Sequence, residues 1–215
     1  MKKAILFGAS GFVGSYLLHE LLNNSDYEQI IIVVRKQLDI THPKLSIIIG
    51  DYHSFDGFKQ RIIADDVFIT LGIADYRIEH GYSVSIAKAA KENGAKSIFV
   101  ITAVQADINS KSTYIKRKGE IERDVIALDF DHTYLFRVSM LMERKEKNPI
   151  EKIMAIIWTI ISPLMIGKHL KQYKGISGKD VAVAMNNAAK EQKGKVNICY
   201  WQEMQFLIQK KSDIK

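Results

Sequence analysis

An α/β fold, a doubly wound parallel sheet with a small C-terminal helical lid, is predicted by three features of the sequence. Short apolar runs alternate with helix-like periodicities from the first residue onward. Several of these runs are β-branched almost throughout, which marks strands buried on both faces. A glycine-rich turn follows the first run, at a strand-to-helix junction. Strands joined through helices pair in parallel with right-handed crossovers.

The elements follow in order. Ala4 to Phe7 is a first strand, closed by Gly8, and Tyr16, Leu17, Leu18, Leu21 and Leu22 recur at helical spacing after it. Ile30 to Val34 and Ile47 to Ile49 are the second and third strands. Phe55, Phe58, Ile62 and Ile63 predict a short helix. Val67 to Ile69 is a fourth strand, followed by a helix over Arg77 to Asn93 with Gly94 as its stop. Ile98 to Ile101 is a fifth strand, Thr113 to Leu128 a helix and Thr133 to Val138 a sixth strand. Beyond Val138 come a charged stretch, an apolar stretch and an amphipathic helix over Asp180 to Lys190. No linker separates two domains, so 1–215 is read as one domain, with 139–215 supplying the substrate-side lid.

Composition narrows the function. The 215 residues carry 47% apolar and 26% charged residues, ordinary values for a globular chain. The one cysteine, Cys199, excludes an internal disulfide and points to a reducing, cytoplasmic setting. Six histidines without clustering give no metal site. The formal net charge of +7 suits an anionic partner, but the basic residues are spread along the chain, so no nucleic-acid footprint is expected. The apolar run after Lys2-Lys3 is too short for a signal core. The stretch 153–166, interrupted by Pro163, is too short to span a bilayer. It reads either as a buried helix or as a peripheral membrane contact.

Gly8-Ala9-Ser10-Gly11-Phe12-Val13-Gly14 has the spacing Gly-x-x-Gly-x-x-Gly between the first strand and first helix. A turn without Cβ atoms brings backbone N–H groups close to a pyrophosphate at the helix N-terminus, where the helix dipole favours negative charge. Gly8, Ser10, Gly11, Phe12, Val13 and Gly14 are the residues expected at that contact, and Gly14 lets the helix approach the sheet. The sheet is therefore of Rossmann type. At the end of the second strand an NAD-selective site places an acid for the ribose 2′-hydroxyl. This chain has Arg35-Lys36 there, and a guanidinium suits a 2′-phosphate. NADP(H) is favoured over NAD(H).

On the glycine loop, Val33-Val34-Arg35-Lys36, Gly50-Asp51, Thr70-Leu71-Gly72, Ile101-Thr102-Ala103 and Tyr114-Ile115-Lys116-Arg117-Lys118, the chain resembles the short-chain dehydrogenase/reductase superfamily. The likeness is to its atypical branch, the NAD(P)-binding proteins related to the Tat-interacting oxidoreductase-like group, and spans roughly Lys3 to Lys190. The resemblance implies that Asp51, with Tyr52 beside it, meets the adenine end. It implies that Thr70, Leu71 and Gly72 lie along the ribose and diphosphate, and that Tyr114 and Lys118 are the catalytic pair.

Residues four apart on a helix share a face, so Tyr114 and Lys118 can point into one cleft. An ammonium beside a phenol stabilises the phenolate and lowers its pKa. Tyr114 is then expected to give or take the proton in hydride transfer with a small carbonyl or alcohol, and Lys118 also to hold the nicotinamide ribose. The superfamily pattern has a serine at the end of the fifth strand to bind the substrate oxygen. Thr102 supplies a hydroxyl there if it is the aligned residue, and Ala103 supplies none if it is. Two functions follow: an NADP(H)-dependent oxidoreductase, or an NAD(P)(H)-binding redox-sensing protein without turnover. Substrate and oligomeric state are not legible.

Overall fold

The computed structural model describes residues 1–72, 76–142 and 168–209. In chain order these form β1 (Lys2–Phe7), α1 (Phe12–Leu22), β2 (Tyr27–Val34), β3 (Leu45–Ile49), β4 (Asp66–Ile69), α2 (Tyr76–Glu92) and β5 (Ser97–Ala103). There follow α3 (Thr113–Ala127), β6 (His132–Val138), β7 (Leu141–Met142), α4 (Lys168–Lys171), β8 (Ile176–Ser177), α5 (Gly178–Glu191), β9 (Val196–Cys199) and α6 (Trp201–Gln209).

Seven strands make one sheet in the order β3-β2-β1-β4-β5-β6-β9, every neighbouring pair parallel. The order reverses at β1, which pairs with β2 on one side and β4 on the other. Such a switch leaves a crevice at the carboxyl ends of the strands. β7 and β8 form a separate parallel pair.

Two apolar layers fill the sheet's faces, as the β-branched runs require. Leu17, Leu21, Ile32, Phe68, Phe136, Val181 and Ala184 belong to the face covered by α1, α5 and α6. Ile5, Val67, Ile86, Val100, Ile121 and Val125 belong to the face covered by α2 and α3. Each fully buried Leu or Ile contributes roughly 1.5–3 kcal/mol, so these layers outweigh any single polar contact. On the first face Phe68, Phe99 and Tyr134 stack across β4, β5 and β6, with ring centroids 4.7 and 5.1 Å apart.

The doubly wound parallel sheet is thus as predicted, with three differences in detail. The helix expected from Phe55 to Ile63 is two three-residue 3-10 turns, Phe55–Gly57 and Lys59–Arg61. Phe58 between them has φ −131°, and its buried ring fills the space beside Gly50. β9 is a seventh strand that periodicity did not reveal. It is four residues long and at the sheet edge, with Val196 and Ile198 exposed, so it has no apolar run to find. α5, β9 and α6, from the third expected to be a lid, extend the sheet and cover its α1 face. The stretch 153–166 lies outside the described residues; among those described, no helix is long and apolar enough to cross a membrane.

Candidate cofactor cleft and the tyrosine–lysine pair

The turn after β1 is built by close approach. Gly8 has φ +93°, a left-handed conformation that glycine adopts without strain. Its carbonyl accepts the Gly11 N–H at 2.9 Å. A Cβ on Gly14 would lie 1.9 Å from the same Gly8 oxygen. Gly11 caps α1 with no side-chain hydrogen bond, so the first-turn N–H groups of Phe12 and Val13 receive no acceptor from the cap. Phe12 points its ring the other way, against Gly178 at the start of α5.

A cleft of about 560 Å³ opens at this turn, at the carboxyl ends of β1, β2 and β4. Of the residues expected at the cofactor, Gly8, Ser10, Gly11, Arg35, Asp51, Tyr52, Thr70, Leu71 and Gly72 all line it. Phe12, Val13 and Gly14 stand behind the lining as the start of α1. Lys36 is exposed beside Arg35 but is not part of the wall. Thr70 has a second task, because its N–H and its hydroxyl both donate to the Phe7 carbonyl at 3.0 Å and lock β4 to β1.

Asp51 is organised by its own loop. Its Oδ1 accepts the His53 N–H at 3.0 Å, the Ser54 N–H at 3.1 Å and the Ser54 hydroxyl at 3.1 Å. These donors, Ser54 foremost, hold the carboxyl below its usual range. The cleft is also lined by Ile78 and Tyr82 from α2, which sequence reading did not assign to the site. Their signal was Ile78, Tyr82 and Ile86, four residues apart, running toward the strand ends. Tyr82 is buried edge-on to Phe7 and Tyr52, and burial pushes its phenol up.

Tyr114 and Lys118 do share a face of α3, whose N-cap is Ser112. Tyr114 is half exposed. The Lys118 Nζ lies 5.8 Å from the Tyr114 ring centroid and the Arg117 Cζ 5.4 Å from it. Neither cation faces the cleft. Both are buried around Glu79 of α2, itself 2% exposed. Lys118 donates to Glu79 Oε1 at 2.9 Å. Arg117 Nε sits 2.5 Å from Glu79 Oε2 but off its donor axis, so that ion pair is not an aligned hydrogen bond.

Two expectations are corrected here. The phenol of Tyr114 is raised above its usual 10, not lowered. Partial burial of the ring is the first cause and the Glu79 carboxylate the second, against an opposing Arg117, while the Lys118 ammonium is paired with Glu79. Thr102 does not offer its hydroxyl to the cleft. It is buried on the α2/α3 face and donates to Glu122 Oε1 at 2.6 Å, a carboxylate also held by Arg137 Nε at 3.0 Å. Ala103, on the other face, has no hydroxyl. Ser110 and Ser112 are engaged in the loop and cap before α3.

A family model described as NAD(P)H-binding matches residues 8–192. The chain belongs to this NAD(P)H-binding family. Its relatives include the protein fmp52, mitochondrial, of Aspergillus niger, 35% identical over 171 residues, 72% of this chain and 73% of the relative. FMP52 of Saccharomyces cerevisiae is 29% identical over 156 residues, 67% and 68% of the two chains. Among solved structures, MoeE5 in complex with UDP-glucose and NAD superposes with a TM-score of 0.68 at 15% identity, over 98% of this chain and 82% of that one. The oxidoreductase ylbE from Lactococcus lactis gives 0.68 at 14% identity, over 96% and 97%. These two likenesses are of fold.

For this NAD(P)H-binding protein the resemblance read from the motifs therefore holds at the level of family and fold. The cytoplasmic expectation does not. The curated relatives are named as mitochondrial proteins, from Eremothecium gossypii to Aspergillus niger and Saccharomyces cerevisiae. A lone buried cysteine reports a reducing environment, and that criterion does not separate one reducing compartment from another.

Proposed function

We propose that the protein is an NADP(H)-dependent oxidoreductase that transfers hydride to or from a small carbonyl or alcohol, with Tyr114 as proton donor and acceptor. The observation that carries the reading is the cleft at the β1/β4 switch point, lined by both the glycine turn and Arg35. The cradle fits a dinucleotide. A side chain at Gly14 would collide with Gly8, and the start of α1 has no competing cap.

In this reading the N–H groups at the start of α1 hold the pyrophosphate. Arg35 takes the 2′-phosphate, with Lys36 adding charge nearby. Asp51 accepts from the adenine amino group, and Thr70, Leu71 and Gly72 lie along the ribose and diphosphate. A bound nicotinamide supplies the hydride chemistry. Tyr114 gives its proton to the carbonyl oxygen, and Lys118, bonded to Glu79, supports the tyrosine ring.

A second reading is favoured by one observation. The Thr102 hydroxyl is committed to Glu122 and Ala103 has none, so the end of β5 offers no hydroxyl to a substrate oxygen. The protein would then bind NAD(P)(H) without turnover and report redox state to a partner.

One experiment separates the two: titration with NADPH and NADH by nicotinamide fluorescence, then a panel of small carbonyls with wild type and Tyr114→Phe. Loss of roughly 10²–10⁴ in turnover in Tyr114→Phe, with cofactor affinity unchanged, supports the enzyme. Tight binding with no turnover on any carbonyl supports the second reading. No binding of either nucleotide overturns both.

A further inference from the structure

Glu79 is an unusual neighbour for a tyrosine–lysine pair. It stands in the first turn of α2, 39 residues from Lys118 in sequence. A carboxylate is buried only where cations pair with it, and here two do. Its Oε1 takes the Lys118 ammonium at 2.9 Å and its Oε2 faces Arg117 Nε at 2.5 Å. An Arg–carboxylate clamp built for stability is a fork of two aligned N–H donors. Arg117 makes no such fork, and Glu79 Oε2 and Arg117 Nε both lack a hydrogen-bond partner among the described residues. Both cations instead lie within 6 Å of the Tyr114 ring centroid, at 5.4 and 5.8 Å. The carboxylate thus acts on the two charges that flank the tyrosine.

We propose that Glu79 is a positioning residue of the Tyr114–Lys118 pair: its carboxylate fixes Lys118 against the ring and balances its charge, which sets the site for carbonyl reduction. This rests on Tyr114 acting as the proton donor. The carbonyl carbon gains hydride from the reduced dinucleotide, the carbonyl oxygen gains the Tyr114 proton, and the tyrosinate recovers one from solvent. The charged groups around the ring are Glu79 from α2 and Arg117 and Lys118 from α3. His80, next to Glu79, is engaged with Asp124 at 2.8 Å. The raised Tyr114 phenol, with Glu79 its leading charged cause, agrees with this arrangement.

The test is a pH titration of Tyr114 in the full chain without cofactor or substrate. Carbon-13-labelled tyrosine is followed by NMR, with the Tyr114 resonance assigned from Tyr114→Phe. In Glu79→Gln the midpoint should fall by roughly one to two pH units, because an acidic charge near the phenol is gone and Lys118 is released. Glu79→Asp, which keeps the charge, should return most of that shift. Lys118→Met should raise the midpoint, and this variant decides the matter if Glu79→Gln does not fold. An unmoved midpoint in a folded Glu79→Gln, an equal shift in Glu79→Asp, or an unmoved midpoint in Lys118→Met would overturn the proposal. Because no turnover is read, these outcomes are independent of whether the protein proves to be an oxidoreductase.

Discussion

The carbonyl oxygen of Gly8 occupies the space that a side chain on Gly14 would need, 1.9 Å from the ideal Cβ position. That contact sets how near α1 comes to the end of β1, and so where its N-terminus meets the cleft. Gly14→Ala must push the helix away or distort the turn. It should destabilise the fold by about 1–3 kcal/mol and weaken NADPH binding at the same time. Thermal melting and a fluorescence titration on one preparation check both effects. A variant with full affinity would show that the turn is not the phosphate cradle.

Arg35 and NADPH give a second expectation. Arg35→Ala removes a charged donor from the cleft wall, where such a bond is worth about 1.5–3 kcal/mol. NADPH affinity should drop roughly tenfold to a hundredfold, while NADH affinity stays near the wild-type value. Lys36→Ala, outside the wall, should have a smaller effect that salt screens. Equal losses for both nucleotides in Arg35→Ala would discard the 2′-phosphate reading while leaving the cleft intact.

Thr102 separates stability from chemistry. Thr102→Val deletes the hydroxyl that donates to buried Glu122, at a cost of about 1–3 kcal/mol. In a domain of this size that is a fall in Tm of roughly 2–4 °C per kcal/mol. Turnover per folded molecule should hold. A loss of activity without a change in melting would put Thr102 back into the chemistry.

Under the proposed mechanism the pH dependence follows from Tyr114. A phenol raised above its usual 10 is protonated at every pH below that value, so the donor form persists through neutrality. For reduction, kcat/KM should be flat from neutral pH upward and fall only beyond the ordinary tyrosine range. For oxidation, which needs the phenolate, it should rise with pH across the same interval. A reduction limb that falls near pH 7 would assign the proton to another group.

The residues that line the cleft were legible because the pattern is local. The spacing from Gly8 to Gly14, Arg35 at a strand end, Asp51 and Thr70-Leu71-Gly72 each follow a strand, and parallel strands bring their carboxyl ends to one edge. Nine of the expected residues line the cleft for that reason. Thr102 against Ala103 was not legible, because neighbours on a strand point to opposite faces and the string alone does not say which face holds the site. β9 escaped notice because an exposed edge strand carries too few apolar residues to make a run.

From sequence alone came the parallel α/β sheet, the glycine turn, the basic end of β2 and the shared face of Tyr114 and Lys118. All of these depend on residues a few positions apart or on strand-and-helix periodicity. The tertiary structure decided the electrostatic state of that pair. Glu79 reaches Lys118 only because α2 and α3 pack side by side on one face of the sheet, and a buried carboxylate's field acts over ångströms of space irrespective of the 39 residues of chain between them.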